Sequence, residues 1–361
     1  VKFLVITCLY FSSLVFSNVE RHTWMEPEAR STAPIVRFQL QINKALIKKV
    51  AASIKKLNPK HIYTAGRGSS KNACLYAELL LGKTLNIQAS SIKLHEHSIN
   101  NSQYNYANSL VIAISQSGRS RDIIQSVTAA KNNGAMVIAF VNSVDSPLAE
   151  LADIVIPTHA GEEKSVAATK TFSLTLTAIA QLAAYLSESD ELLNDLNKLS
   201  DELAQAWELD WNSALTNFDP SHSTIIVSRD IGLPIALEAA LKLKETCGIH
   251  AEAYSAAEIR HGSLRLLLAS QKLNILGFAA SNPSAQSIIS VIELARSQGC
   301  KVNLVSKVET EVNLPFITNT HPDLEPIIMI HQFYKLVNEL ARIKQSNPDS
   351  SPLLNKVTST L

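Results

Sequence analysis

Three residues spaced for one face of a helix open the chemical reading: Glu238, Lys242 and Glu245 fall at i, i+4 and i+7. A salt-bridged surface helix would use the same spacing. Here the rest of the helix is Ala and Leu, and Gly248 then ends it. A carboxylate beside a partly buried lysine can carry a proton. His261, ahead of Gly262 in a turn, is a second acid–base group. A different chemistry is offered by Ser115-Gln116-Ser117-Gly118-Arg119-Ser120, which follows an apolar run and opens a helix. Ligands of open parallel sheets bind at the carboxyl ends of strands, and helix N-termini favour phosphate. The hexapeptide also reads as an ordinary serine-rich cap. A second turn, Gly66-Arg67-Gly68-Ser69-Ser70, lacks the full dinucleotide fingerprint, so no nucleotide site is expected. His95-Glu96-His97 would place two histidines on one face of a strand. No further matched ligands accompany them, so a structural or surface role is expected, with no metal and no cofactor.

These residues must be positioned by elements that repeat. His61–Ala65 reads as a strand entering Gly66–Ser70, with a helix at Asn72–Leu81; Leu110–Ile114 is a buried strand before the serine loop, and Asp122–Asn132 a helix stopped by Gly134; Met136–Val141 is the next strand. The second block follows the same grammar. Thr224–Val227, Leu273–Phe278 and Lys301–Val305 read as strands, Ala236–Thr246 and Gln286–Ser297 as helices, and Ala280–Ser284 as the polar turn. Ser115 to Gly134 and Ala280 to Gly299 are equally spaced, which argues for duplication and for parallel sheets flanked by helices. A helix is expected at Pro34–Leu57, a connecting helix at Ser187–Asp210, and an irregular tail at Asn347–Leu361.

Composition limits the classes. With 361 residues, 46% apolar and 18% charged, the chain can bury a sizeable core. A net charge of +1 gives no global field for nucleic acid or an anionic membrane, and neither is expected as a partner. Cys8, Cys74, Cys247 and Cys300 form no C-x-x-C pair, which fits a reduced, cytoplasmic setting. After Lys2, the apolar stretch Phe3–Phe16 has signal-peptide length but is short for a membrane span, and no small-x-small cleavage site comes after it. An export signal is one reading. A translated upstream stretch or non-native extension is the other, and the expected one, because the chain from Met25 onward reads as a cytosolic enzyme.

The chain resembles the SIS (sugar isomerase) domain family, in the branch that holds the isomerase half of glucosamine-6-phosphate synthase and the SIS-type glucosamine-6-phosphate deaminases. The matching stretches are Met25-x-x-Glu28-Ala29-x-x-x-Ala33-Pro34, Gly66–Ser70, Ser115–Gly118, Ser165–Thr171, Glu238–Gly262 and Asn355-Lys356-Val357-Thr358. The resemblance implies an α/β fold of two SIS domains, each a five-stranded parallel sheet flanked by helices. The expected division is an N-terminal extension at 1–24, domains at 25–205 and 206–345, and an active-site tail at 346–361. It also implies roles. Ser115, Gln116, Ser117 and Ser120 match the phosphate loop, and Ser69 and Ser70 a turn over the sugar. Val166 and Ala168 match a backbone stretch facing sugar hydroxyls; Ala168 is often Ser in the synthases. Glu245 matches the base moving a proton between C1 and C2, with Lys242 beside it. His261 matches a ring-opening histidine supplied by the neighbouring subunit of a homodimer, and Lys356 a lysine that closes over the open-chain sugar. After His261-Gly262 the family usually has Pro; here Ser263-Leu264-Arg265 stands in its place.

The implied partner is a phosphorylated amino sugar. A glutaminase domain with a catalytic N-terminal Cys is not found in the sequence, so the expected reaction is glucosamine 6-phosphate plus water to fructose 6-phosphate plus ammonia. A related amino-sugar-phosphate isomerase, or a non-catalytic sugar-phosphate sensor, are the alternatives. The Glu, Lys and His set argues against a sensor.

Overall fold

Leu110-Val-Ile-Ala-Ile114 has no polar face, and every residue of its strand, Ser109–Ser115, is buried. That is the environment of a central strand in a parallel sheet covered by helices on both sides. The computed structural model describes residues 23–268, 272–316 and 318–356. Residues 1–22, on which the export reading rests, and Val357 and Thr358 of the tail motif lie outside these. The first unit contains α1 (Met25–Arg30), α2 (Thr32–Leu57), β1 (His61–Ala65), α3 (Ser69–Leu85), β2 (Ala89–Ser91), α4 (Leu94–Ser98), β3 (Ser109–Ser115), α5 (Arg121–Asn132), β4 (Met136–Val141), α6 (Pro147–Leu151), β5 (Ile154–Pro157) and α7 (Lys170–Ser187). Next come α8 (Asp190–Glu208) and α9 (Asn212–Asn217). The second unit holds β6 (Ser223–Ser228), α10 (Leu233–Cys247), β7 (Ala251–Ser255), β8 (Leu273–Ala279), α11 (Ala285–Ser297), β9 (Lys301–Ser306), β10 (Asn313–Leu314) and α12 (Glu325–Ile343).

Two five-stranded sheets result, ordered β2-β1-β3-β4-β5 and β10-β9-β8-β6-β7. Read from the opposite edge, the second repeats the first, so the duplication expected from spacing is present in the topology. All pairings are parallel, with Ile62 opposite Leu110 and Ile225 opposite Ile275. Strand alternation sorts the side chains. Leu110, Ile112 and Ile114 point into a core that spans both units, while Val111 and Ala113 face an outer layer with Ile123 and Val127 of α5. The second sheet has its own outer layer, where Ile275 meets Ile288 and Ile292 of α11.

The helices α7 and α12 fill the space between the sheets. In α7 every residue except Tyr185 and Ser187 is buried, which a helix apolar on one stripe alone could not tolerate. Several of its polar groups find partners inside the protein: Thr175 Oγ1 donates to the Thr171 carbonyl at 2.7 Å and Gln181 Nε2 to the Leu40 carbonyl at 2.7 Å. The connecting helix expected over 187–210 is α8, Asp190–Glu208. Glu188 turns left-handed at φ 55° to end α7, and the Ser189 hydroxyl then accepts from the Leu192 N–H to start α8. Short edge strands β2, β5, β7 and β10 and helix α12 are elements beyond those read from the sequence. Among the described residues no helix is long and apolar enough to cross a membrane.

His331 of α12 is fully buried with its ring 4.9 Å from that of Trp207. Burial pushes its pKa down to about 3, against a smaller upward pull from the Leu203 carbonyl. The unfolded chain therefore binds a proton that the folded chain refuses between roughly pH 6.5 and 3. Stability contributed at neutral pH is lost as the pH falls through that window. Urea unfolding from pH 7 to 4 tests this: His331→Leu, which has no ionisable ring, should show a shallower acid loss than the parent chain, and parallel slopes would show that His331 does not set it.

Candidate active site

The site begins with an ammonium shut off from solvent. Lys242 and Glu238, both on α10, are fully buried, and the Glu245 side chain is 23% exposed. The Lys242 ammonium pairs with Glu238 Oε1 at 3.3 Å and more closely with Glu245 Oε2. Its third contact is the hydroxyl of Ser69, at 3.3 Å, to which it donates. Glu238 in turn accepts at 2.8 Å from Asn72 Nδ2. Ser69 and Asn72 belong to the first turn of α3, so the charged cluster joins the two units. Burial works against the Lys242 charge, but Glu238 and Glu245 outweigh it and raise its pKa. For Glu238, burial raises the pKa and the Lys242 charge opposes it. The ammonium therefore stays charged, and Glu245, at the wet end of the cluster, is the carboxylate that a ligand can reach. Gly248 ends α10 in the left-handed region at φ 60°, as its sequence position indicates.

The serine loop lies at the carboxyl end of β3. Ser115 Oγ accepts from the Gly118 N–H at 3.1 Å, and Ser117 Oγ from the Arg119 N–H at 3.3 Å. The Gln116 carbonyl takes the N–H groups of Asn142 and Ser143, which fastens the loop to the end of β4. Gly118 has φ +63°, and a Cβ there would sit 2.0 Å from Ser146 Oγ, so no other residue fits. Ser120 occupies the cap position of α5 in extended conformation, yet its side chain makes no capping hydrogen bond. Arg67 pairs with the buried Asp122 at 2.7 Å and ties the Gly66–Ser70 turn to the start of α5. Ser69, Ser70, Ser115, Gln116 and Ala168 line one narrow cleft of about 30 Å³, room for about one water. A larger space of about 220 Å³ near Trp211 and Leu336 carries none of the expected site residues.

The third wall is the loop 163–169 with the chain's tail. Glu163, its side chain fully buried, accepts from Thr169 and Thr171 and, at 3.4 Å, from Gln116 Nε2. Lys356 donates to the Ser165 carbonyl and lies 3.6 Å from Glu163. Burial lowers the Lys356 pKa, with Glu163 and Glu28 pulling upward and Lys242 adding to the fall. The Val166 N–H is engaged by the Asp349 carbonyl at 3.1 Å.

His261 stands apart. It is exposed, between the 3-10 turns Glu258–Arg260 and Ser263–Leu267, and no hydrogen bond or ion pair links its ring to the Lys242 cluster among the described residues. In the second unit, the turn matching the serine loop already holds an anion of its own. The Ser281 N–H donates to the buried Glu325 carboxylate at 2.6 Å, and Lys307 pairs with it at 2.9 Å. His95 and His97 lie on the short helix α4, not on a strand, and so share no strand face. Since the Ser102 carbonyl can only accept, His97 Nδ1 donates to it at 2.8 Å, and Nε2 receives the Tyr106 hydroxyl at 2.7 Å. That leaves His97 no lone pair for a metal.

Helical spacing marks the face of Glu238 without assigning it a role, and neither Glu163 nor Asn72 is among the site residues singled out above. The signal for Glu163 was an acidic pair, Glu162-Glu163, directly ahead of the recognised Ser165–Thr171 stretch. Nothing in the local sequence singles out Asn72, whose partner is 166 residues away.

Residues 57–185 match the SIS domain family. A chain from Silicibacter pomeroyi DSS-3, named as a candidate phosphosugar isomerase, superposes with a TM-score of 0.86 at 31% identity, covering 91% of this chain and 100% of that one. The isomerizing glutamine–fructose-6-phosphate aminotransferase of Thermococcus kodakarensis is 32% identical over 336 residues, 87% of this chain and 54% of that protein. The chain thus spans about half the length of the curated relatives it matches. Glucosamine-6-phosphate deaminase from Thermotoga maritima shares the fold, with a TM-score of 0.77 at 18% identity. From the paired parallel sheets and these likenesses together, the chain belongs to the SIS domain family.

Proposed function

We propose that this chain is a phosphosugar aldose–ketose isomerase acting on a phosphorylated amino sugar, with net conversion of glucosamine 6-phosphate and water to fructose 6-phosphate and ammonia. The observation that carries the reading is the Glu245 carboxylate, held by a buried, charged Lys242 at the junction of the two units. A proton shuttle needs one carboxylate reachable from the cleft and fixed in place, with a cation close enough to stabilise the charge that develops on the sugar. Glu245 takes the proton from C2 of the open-chain sugar and returns it to C1. The enolamine becomes an imine at C2, and water adds there to release ammonia. The partial exposure of Glu245 admits that water.

The phosphate is assigned to the loop formed by Ser115, Gln116, Ser117 and Ser120 at the start of α5, where hydroxyls and N–H groups converge. The second unit's matching turn is satisfied by Glu325, which supports the first unit as the binding half. Ser69 and Ser70 face the sugar from one side, Val166 and Ala168 from another, and Lys356 supplies a second cation. Ring opening is assigned to His261 of a neighbouring subunit in a homodimer. Its exposure, with no hydrogen bond or ion pair to the Lys242 cluster among the described residues, favours a role across an interface.

Three predictions separate these roles. Glu245→Gln keeps the shape but cannot take the proton, so kcat should fall by about 10²–10⁴-fold while sugar-phosphate binding survives; near-normal ammonia release from it would refute the base. Replacing Ser115 and Ser117 together by Ala should instead raise KM, by roughly a hundredfold if each lost bond to charge is worth about 1.5 kcal/mol. An unchanged KM would move the phosphate to another loop. For the shared site, inactive Glu245→Gln and His261→Ala subunits are mixed under conditions where exchange is demonstrated. Part of the activity should return in mixed dimers, and exchange without any return would place the histidine's action within its own chain.

A further inference from the structure

Residues 23–28, around the short motif Met25-x-x-Glu28, bond to three other segments: the tail at Asp349, the loop at Lys164 and Ser165, and α12 at Asn338. The N–H groups of Trp24 and Met25 donate to the two carboxylate oxygens of Asp349, at 2.6 and 2.9 Å. The Glu28 carboxylate, itself nearly fully buried, accepts from the N–H groups of Lys164 and Ser165. Glu26 accepts at 3.1 Å from Asn338 of α12, whose carbonyl oxygen takes the Thr23 hydroxyl at 2.9 Å. The tail and the loop are also bonded to each other, through the Val166 N–H to the Asp349 carbonyl and Ser165 Oγ to the Pro348 carbonyl at 3.3 Å. Lys164 lies over the Trp24 ring at 4.0 Å. Seven residues beyond Asp349, Lys356 reaches the same loop at Ser165 and Glu163.

We infer that α1 is a bracket, and that Asp349 and Glu28 are positioning residues which clasp the C-terminal tail to the 163–169 loop and so hold Lys356 over the cleft. The physical logic is one of reach. A tail of irregular structure, ordered only by Lys356 itself, would spread the ammonium over many positions, and fixing each residue costs conformational entropy. A carboxylate with two N–H donors fixed at the head of α1 anchors the tail close to the lysine and shortens the free segment to the residues between 349 and 356. Because the bracket rests on α12 of the second unit and grips a loop of the first, it also sets the tail against both. The catalytic part of this inference rests on the proposed role of Lys356; the clasp itself does not.

The test uses the full chain with Asp349→Ala, Asp349→Asn, Glu28→Gln and Lys356→Ala. The first readout is physical. Lys356 is the trypsin site that would release residues 357–361, and its ammonium is held down in the clasped state. Mass spectrometry of a limited digest should show cleavage after Lys356 at least tenfold faster in Asp349→Ala, with Asp349→Asn in between because its amide retains one acceptor. Equal cleavage in the parent and Asp349→Ala, with unfolding midpoints also equal, overturns the clasp. The second readout is kinetic. Asp349→Ala and Glu28→Gln should each lower kcat at least tenfold with KM changed less than threefold, and Asp349→Ala should cost nothing further in the Lys356→Ala background. Additive losses in the double variant would show that Asp349 does not act through the lysine. If Lys356→Ala alone keeps full activity while the digest behaves as expected, the proposed role of the lysine fails and the clasp stands.

Discussion

A fully buried ammonium is among the costliest groups a fold can carry, and the placement of Lys242 organises much of its surroundings. Left unpaired it would discharge or unfold the region, since removing one partner of a buried pair costs about 3–5 kcal/mol. Here it has Glu238 and Glu245 on its own helix and Ser69 on α3. Two carboxylates about one lysine leave a surplus negative charge, and burial raises the Glu238 pKa against it. Asn72 meets part of the need of Glu238. The cluster is complete only when α3 of the first unit packs on α10 of the second, so the electrostatics that tune the site also demand the domain arrangement that creates it.

The duplication is used unequally. Each unit builds a polar turn after its third strand in space, and each turn faces a buried carboxylate. In the first unit Glu163 accepts from the Gln116 side chain, and Ser115 and Gln116 line the cleft. In the second, Glu325 bonds the turn's own N–H at Ser281, and Lys307 balances it. One copy has its buried carboxylate bonded to a side chain of the turn, and the other has it bonded to the turn's own backbone.

Much of this was readable from residues alone. The apolar runs at 110–114 and 136–141 could only be central strands, and the matched spacing to Gly134 and Gly299 announced the repeat. Glu238, Lys242 and Glu245 were visible as a helical face because helix periodicity is local. Edge strands such as Ala89–Ser91 were not visible, since a three-residue strand with exposed serines has no alternation to detect. The connecting helix at 190–208 was visible for the same reason, its Leu residues recurring among Asp and Glu. His95-Glu96-His97 misled in a different way: read as a strand, it suggested two histidines on a face, whereas packing against Tyr106 makes it one turn of helix. The contacts of Glu28 and Asp349 join residues more than a hundred positions apart, and no local pattern encodes such pairs.

The central claim is that a proton leaves C2 of a bound amino-sugar phosphate at the interdomain carboxylate. Glucosamine 6-phosphate carrying deuterium at C2 tests it most directly, with the sugar followed by magnetic resonance and the ammonia assayed in parallel. The account predicts that the label leaves C2, to C1 of fructose 6-phosphate or to water, as ammonia appears. A sugar that binds and keeps its deuterium at C2, with no ammonia released, would contradict it.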